Sequence, residues 1–450
     1  MADPDFIRET LSRLKARHLD RRLVALGSAA GPHVDVAGRR VLQFASNNYL
    51  GLANDPRVKE AARKGIDRWG WGAGASRLVS GHTEAHAALE ADLAAFKHTE
   101  AALVFPTGYL ANLGVITVLA GRGDTVIMDR ANHASLYDAV QLAGATLVRY
   151  PQADPGAAGQ LLEKHRSGEG RRLLVTDTVF SMDGRVAPLA ELADLCRRQA
   201  CMLVLDEAHA TGVLGPTGAG LAEELATPKR GHSTFSAVGA EGDAKSPGTE
   251  KVECPLFCED AVTASVGTLS KALGGVGGFV AASRDVCGLI VNRARPFIYT
   301  TALPAAACEA ARAALQIVRA EPERRRSLLA LAGRLRTRLQ EEGFDVGAEK
   351  EQKRGHSTFP DAGAVPPRSA GCREKVECPL FSTPIIPIIL GDPQRALAFA
   401  AALLEEGIFC PAIRPPTVPP ATSRLRVSVT AEHTDDDVER LLSALVRIRC

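Results

Sequence analysis

The chain has 450 residues, 46% hydrophobic and 24% charged, which supplies apolar material for a large core and a second lobe and excludes a disordered or fibrous protein. Its 54 lysines and arginines nearly balance 52 acids, for a formal charge of +2, so no electrostatic case exists for nucleic acid or an anionic membrane as partner. Ten cysteines scattered through so long a chain read as free thiols in a reducing compartment, and the cytoplasm is the expected location.

The N-terminus is acidic and leads into an Arg-rich amphipathic stretch, residues 7–22, without the apolar centre of a signal peptide. No uninterrupted apolar run is long enough to span a bilayer. From about residue 100 short apolar runs alternate with helical segments: 102–105, 125–128, 147–150, 173–176 and 203–205. Alternation of this kind predicts a largely parallel sheet covered by helices, an α/β fold, and residues 189–196 after Pro188 read as one covering helix. Beyond Thr301 the texture changes to a long helical region, 305–340, then β-like runs at 384–390, 408–413 and 425–429 and a closing helix at 435–446. The expected division is therefore an N-terminal segment 1–55, a large domain 56–300 and a smaller α+β domain 301–450, with the first segment joining the small lobe or crossing the large one.

Residues 229–257 and 353–381 repeat each other, sharing Lys-Arg-Gly-His-Ser-Thr-Phe at the start and Glu-Lys-Val-Glu-Cys-Pro-Leu-Phe at the end. Their centres have diverged and are rich in Gly, Pro, Ala and Ser, as in surface loops, and we read them as one short element inserted twice. His232, Cys254 and Cys258 in the first copy, and His356, Cys372 and Cys378 in the second, match no common zinc spacing, so no metal is expected.

The central motif is Gly267-Thr268-Leu269-Ser270-Lys271-Ala272-Leu273-Gly274-Gly275, after the apolar run 262–266. A lysine among small residues at a strand end can approach a planar cofactor and form a Schiff base, and Thr268 can bind an anion; alone, such a lysine is more often solvated surface. Its companions alter the balance. Val204-Leu205-Asp206-Glu207-Ala208-His209 puts an acid at the end of an apolar strand, where Asp206 can keep a pyridine nitrogen protonated and His209 can reach a ring oxygen, although a turn histidine bonded to backbone is the plainer reading. Phe105-Pro106-Thr107-Gly108-Tyr109-Leu110-Ala111-Asn112 joins a strand to an apolar helix whose first amides can hold phosphate, with Gly108 allowing close approach; a turn without a ligand is the alternative. Asn132-His133-Ala134-Ser135 follows another strand, where His133 can stack on a ring, and Thr178-Val179-Phe180-Ser181 offers Ser181 as a polar contact. Five motifs thus fall at the C-terminal ends of predicted strands, where α/β sheets assemble ligand sites.

With Phe44-Ala45-Ser46-Asn47-Asn48-Tyr49-Leu50-Gly51-Leu52, Ser76-Arg77-Leu78-Val79-Ser80-Gly81-His82 and Ala412-Ile413-Arg414-Pro415-Pro416-Thr417-Val418-Pro419, these motifs resemble the α-oxoamine synthases, fold-type I pyridoxal-phosphate enzymes, over nearly the whole chain outside the repeats. The resemblance implies pyridoxal 5'-phosphate as cofactor, Lys271 as its Schiff-base lysine, Asp206 at the ring nitrogen, His209 at the ring hydroxyl and His133 against the ring, with Lys271, His133, Asp206 and His209 as the catalytic set. It places Gly108, Tyr109, Ser181 and Thr268 around the cofactor, Asn47 and Arg414 at the amino-acid carboxylate, and Arg21 and Thr417 at substrate, Arg22 being the alternative alignment for the first. The branch most resembled condenses L-alanine with a pimeloyl thioester, carried by coenzyme A or a carrier protein, as a homodimer. Relatives using glycine or serine, and a homologue whose repeats block access to a retained cofactor, are the competing readings.

Overall fold

The computed structural model describes residues 4–166, 168–226, 262–347 and 383–449, so both repeats and their histidines and cysteines lie outside the described residues. The strands are β1 (His33–Val36), β2 (Arg39–Gln43), β3 (Ala101–Phe105), β4 (Thr125–Asp129), β5 (Thr146–Tyr150), β6 (Arg172–Asp177), β7 (Met202–Asp206), β8 (Ala264–Thr268), β9 (Gly278–Ala282), β10 (Ile385–Gly391), β11 (Ile408–Phe409), β12 (Ala412–Ile413) and β13 (Ser423–Ser428). Seven form the central sheet in the order β3-β9-β8-β7-β6-β4-β5. β9 runs antiparallel to both neighbours, and the remaining pairs are parallel.

Every apolar run expected in the large domain is a strand of this sheet to within a residue or two. Strand β9 is the one the alternation does not announce. The segment from Leu269 to Gly277 is too short for the crossover of roughly a dozen residues that a parallel neighbour needs, so the chain returns antiparallel.

Alternate residues of the sheet enter two separate cores, as the two-residue period of a strand demands. Phe105, Val126, Met128, Val175, Val204 and Val266 pack on one face with helices Gly108–Leu119 and Ala134–Ala143. Val104, Ile127, Leu174, Leu203, Leu205 and Phe279 pack on the other with helices Glu84–Lys97, Pro155–Lys164 and Leu189–Gln199. With both faces covered, the C-terminal edge of the strands is where side chains can meet a ligand.

The long helical region is two helices, Ala305–Ala320 and Pro322–Glu341, because Pro322 has no N–H to continue the first and starts the second instead. The first packs on helix Pro56–Trp69 so closely that a Cβ at Gly65 would lie 2.7 Å from the Cα of Ala306. It therefore rests on a helix that precedes residue 301 by more than two hundred positions. The run at 408–413 is likewise two strands: β11 pairs with β2 and β12 with β13, in different sheets, with Cys410 and Pro411 between them. Through β11 the N-terminal hairpin β1–β2 joins the C-terminal part of the chain. The amphipathic N-terminal helix spans Pro4–Ala16 and ends before His18, whose φ is 55°. Among the described residues no helix is long and apolar enough to cross a membrane.

Candidate active site

Asp206 ends β7 and is buried, its Oδ1 accepting from the amide of Ala208 at 2.9 Å and its Oδ2 from Asn112 Nδ2 at 2.7 Å. Lys271 lies just past the end of the neighbouring strand β8, and its Nζ is 3.0 Å from His209 Nε2. Burial pushes the Lys271 amine down to about 8, against the pull of Asp206 and Asp177, with Arg426 adding to the depression. Burial, and then the positive charges of Lys271 and Arg426, hold His209 well below the usual histidine range, so its ring is neutral. With the Lys271 ammonium donating to Nε2, the single ring proton sits on Nδ1 and goes to the Tyr49 oxygen at 2.7 Å. Tyr49, kept protonated by burial, donates onward to Asn47 Oδ1 at 3.1 Å.

The amides of Gly108 and Tyr109 open helix Gly108–Leu119, with Thr107 as its cap accepting from Leu110 N at 3.1 Å. Thr268 Oγ1 stands beside them, 2.8 Å from Ser270 Oγ and donating to Gly277 O at 2.9 Å. The approach depends on Gly278, where a Cβ would fall 2.4 Å from Gly108 Cα. Gly108 differs: a Cβ there would come no nearer than an ordinary 3.5 Å to any neighbour, Thr268 being the first, so internal packing does not require a glycine at this position. Tyr109 is partly exposed, donates its hydroxyl to Asp138, and stands edge-on to His133 with ring centroids 6.5 Å apart.

His133 caps helix Ala134–Ala143, and its amide donates to Asp177 Oδ1 at 3.2 Å. Ser181 is buried, with its carbonyl accepting from Arg426 Nε at 2.6 Å. The structure thus brings Lys271, Asp206, His209, His133, Thr268, Gly108, Tyr109, Ser181 and Asn47 to one edge of the sheet or into contact with it.

Arg21, Arg414 and Thr417 meet one another instead. Arg414 donates to the carbonyls of His18 and of Asp20, the latter at 3.0 Å, and Arg21 Nη2 to Thr417 Oγ1 at 3.4 Å. The guanidinium beside Asn47 is that of Arg426, which donates from Nη1 to Asn47 Oδ1 at 3.1 Å and Ser428 Oγ at 2.8 Å and from Nη2 to Tyr49 at 3.4 Å. It is buried, and none of these acceptors is a carboxylate. The sequence analysis missed Arg426, Tyr49 and Asn112. For Arg426 a signal existed: a charged residue alternating with apolar ones in a C-terminal run has to be paired or functional if the strand is internal.

Pyridoxal phosphate fits this residue set. Lys271 suits its aldehyde and Asp206, at the end of the adjacent strand, its ring nitrogen; the space left by Gly108, flanked by two amides and a hydroxyl, suits its phosphate. The family described as aminotransferase class I and II matches residues 39–352 and 370–445, breaking within the second repeat. An 8-amino-7-oxononanoate synthase of Anaeromyxobacter dehalogenans is 45% identical over 444 residues, covering 99% of this chain and 95% of its own. One from Geobacter sulfurreducens is 43% identical, covering 97% and 96%. Among solved structures, the serine palmitoyltransferase of Sphingomonas wittichii superposes with a TM-score of 0.79 at 29% identity, covering 99% of this chain and 96% of that one. Another, solved with PLP, gives 0.79 at 28% and the same coverage.

Fold and site together define a fold-type I pyridoxal-phosphate enzyme, and the chain belongs to the class I and II aminotransferase family. It is a pyridoxal-phosphate-dependent acyltransferase, similar along its length to 8-amino-7-oxononanoate synthases.

Proposed function

We propose that the protein condenses L-alanine with a pimeloyl thioester, on coenzyme A or a carrier protein, giving 8-amino-7-oxononanoate, carbon dioxide and the free thiol, a step of biotin synthesis. The observation that carries this reading is the 45% identity over 99% of the chain to an enzyme of that name.

When bound, pyridoxal phosphate supplies an aldehyde for the amino group and a ring that takes up electron density from the α-carbon. Lys271 would be the amine for that aldehyde and the base for the α-proton, and its depressed pKa keeps part of it unprotonated near neutrality. Asp206 would hold a proton at the ring nitrogen, His209 would accept from the ring hydroxyl through Nε2, His133 would pack against the ring, and Gly108, Tyr109, Thr268 and Ser181 would fix the cofactor. Asn47 and Arg414 bind the alanine carboxylate, joined by Arg426, whose buried guanidinium beside Asn47 supports adding it. Arg21 and Thr417 contact substrate.

Residues 56–300 form the cofactor domain in this reading, and residues 1–55 with 301–450 the second lobe, with helix Ala305–Ala320 resting on the first. The enzyme acts as a homodimer. Phe6, Ile7 and Leu11 are exposed on helix Pro4–Ala16, and Leu23 is fully exposed after it, an apolar arm that a second copy would cover. The described cysteines Cys196, Cys201, Cys287, Cys308 and Cys410 are free and buried, in keeping with the cytoplasm.

The test is product analysis after mixing purified protein with L-alanine and pimeloyl-coenzyme A, or the pimeloyl carrier protein. Detection of 8-amino-7-oxononanoate supports the reading; its absence with both donors overturns it. The TM-score of 0.79 to serine palmitoyltransferase favours one second reading, a serine- or glycine-using condensation with another acyl thioester, which the same assay with those amino acids decides.

A further inference from the structure

We infer that Asn112 and Ser135 are positioning residues that fix the tautomer of His133, leaving Nδ1 as an acceptor and presenting Nε2–H as a hydrogen-bond donor to substrate. The argument starts at Asp206, whose Oδ2 can only accept from Asn112, so the Asn112 amide must turn its NH2 toward it at 2.7 Å. The same NH2 has a second proton, which goes to Ser135 Oγ at 2.9 Å. Asn112 Oδ1 is left buried and without a partner. Turning the amide over would set that oxygen against the Asp206 carboxylate, so the orientation is held at the expense of an unsatisfied acceptor.

Ser135 Oγ, having accepted from Asn112, lies 2.8 Å from His133 Nδ1. A second contact decides the direction of that bond: the backbone N–H of Ser135 also donates to His133 Nδ1, at 3.3 Å. A ring nitrogen that accepts a backbone N–H carries a lone pair and no hydrogen, so the Ser135 hydroxyl donates to it as well. Burial holds His133 below its usual range, and its single ring proton then resides on Nε2.

The chain Asp206, Asn112, Ser135, His133 therefore links the acid assigned to the cofactor ring with the imidazole assigned to its face. The proposal rests on that assignment only for what the donor would meet. An Nε2–H donor can hold a carboxylate or thioester carbonyl oxygen but cannot take a proton, which leaves Lys271 as the base.

The experiment is 15N NMR of the cofactor-loaded, 15N-histidine-labelled protein near neutral pH, with His133→Gln to assign the signal. Wild type is expected to show Nδ1 unprotonated and Nε2 protonated. Asn112→Ala removes the donor that orients the Ser135 hydroxyl toward His133, and the Nδ1–H form should rise about fivefold, the equivalent of one net hydrogen bond. Ser135→Ala, a smaller change, should also raise that form, and Ser135→Thr should restore the wild-type signal. A proton on Nδ1 in wild type, or an unchanged ratio in both Asn112→Ala and Ser135→Ala, would overturn the proposal. The readout belongs to the imidazole itself, so a failed alanine assay has no bearing on it.

Discussion

Lys271 Nζ and His209 Nε2 lie 3.0 Å apart across the ends of adjacent strands β8 and β7. Two groups that can each carry a proton are thus held in contact where burial disfavours charge, which depresses both: Lys271 to about 8 and His209 well below its ordinary value. The strands supply the proximity, and their burial supplies the chemistry.

The amine is reactive only without its proton, so capture of cofactor by the cofactor-free protein should follow the titration of Lys271. With a pKa of about 8, roughly a tenth of the amine is free at pH 7 and half at pH 8. The second-order rate of pyridoxal phosphate capture should climb nearly tenfold from pH 6 to 7 and level off above about 8.5, as followed by absorbance in stopped flow. A rate still rising steeply at pH 10, the range of an unperturbed lysine, would contradict the depressed value.

Borohydride reduction of the cofactor-loaded protein should leave a pyridoxyl label on the peptide containing Lys271 and on no other. Lys271→Ala should bind the cofactor without that label and turn over alanine below detection. Mass mapping of the label and a product assay check both statements.

Arg426→Met removes a buried guanidinium while keeping much of its volume. A charge-assisted pair with a carboxylate contributes up to about 3 kcal/mol, so the alanine concentration giving half-maximal spectral change should rise by about two orders of magnitude. Arg414→Met, the other guanidinium proposed at the carboxylate, serves as the comparison and should give the smaller rise. If Arg414, whose guanidinium is engaged by the carbonyls of His18 and Asp20, gave the larger loss, the carboxylate site would lie at that corner.

Two glycines should respond oppositely. Gly278→Ala drives a β-carbon to 2.4 Å from Gly108 Cα, and backbone cannot yield as a side-chain end can, so the cofactor-free protein should lose about 1–3 kcal/mol. Gly108→Ala meets protein only at ordinary contact distance; its cofactor-free stability should change by less than about 0.5 kcal/mol while its affinity for pyridoxal phosphate falls. Urea denaturation and cofactor titration of both variants separate the two outcomes.

How much of this was legible in the sequence depended on the reach of each interaction. The strands β3 to β8 and the motifs at their ends could be read from local patterning, because a buried parallel strand is a short apolar run and the residue that follows it necessarily lies at the sheet's ligand edge. Lys271, Asp206, His209, His133 and Gly108 were reachable in that way. The partners of those residues were not: Tyr49 and Arg426 are separated by 377 positions along the chain, and Asn112 and Asp206 by 94. Nor could local pattern separate Arg414 from Arg426 as the guanidinium beside Asn47, since both lie in the same C-terminal stretch. That choice was made by pairing β13 between β10 and β12, which turns Arg426 inward, whereas Arg414 ends against the backbone of the N-terminal segment. Periodicity records which way a side chain points within its own element; which distant group it meets is fixed only when the elements pack.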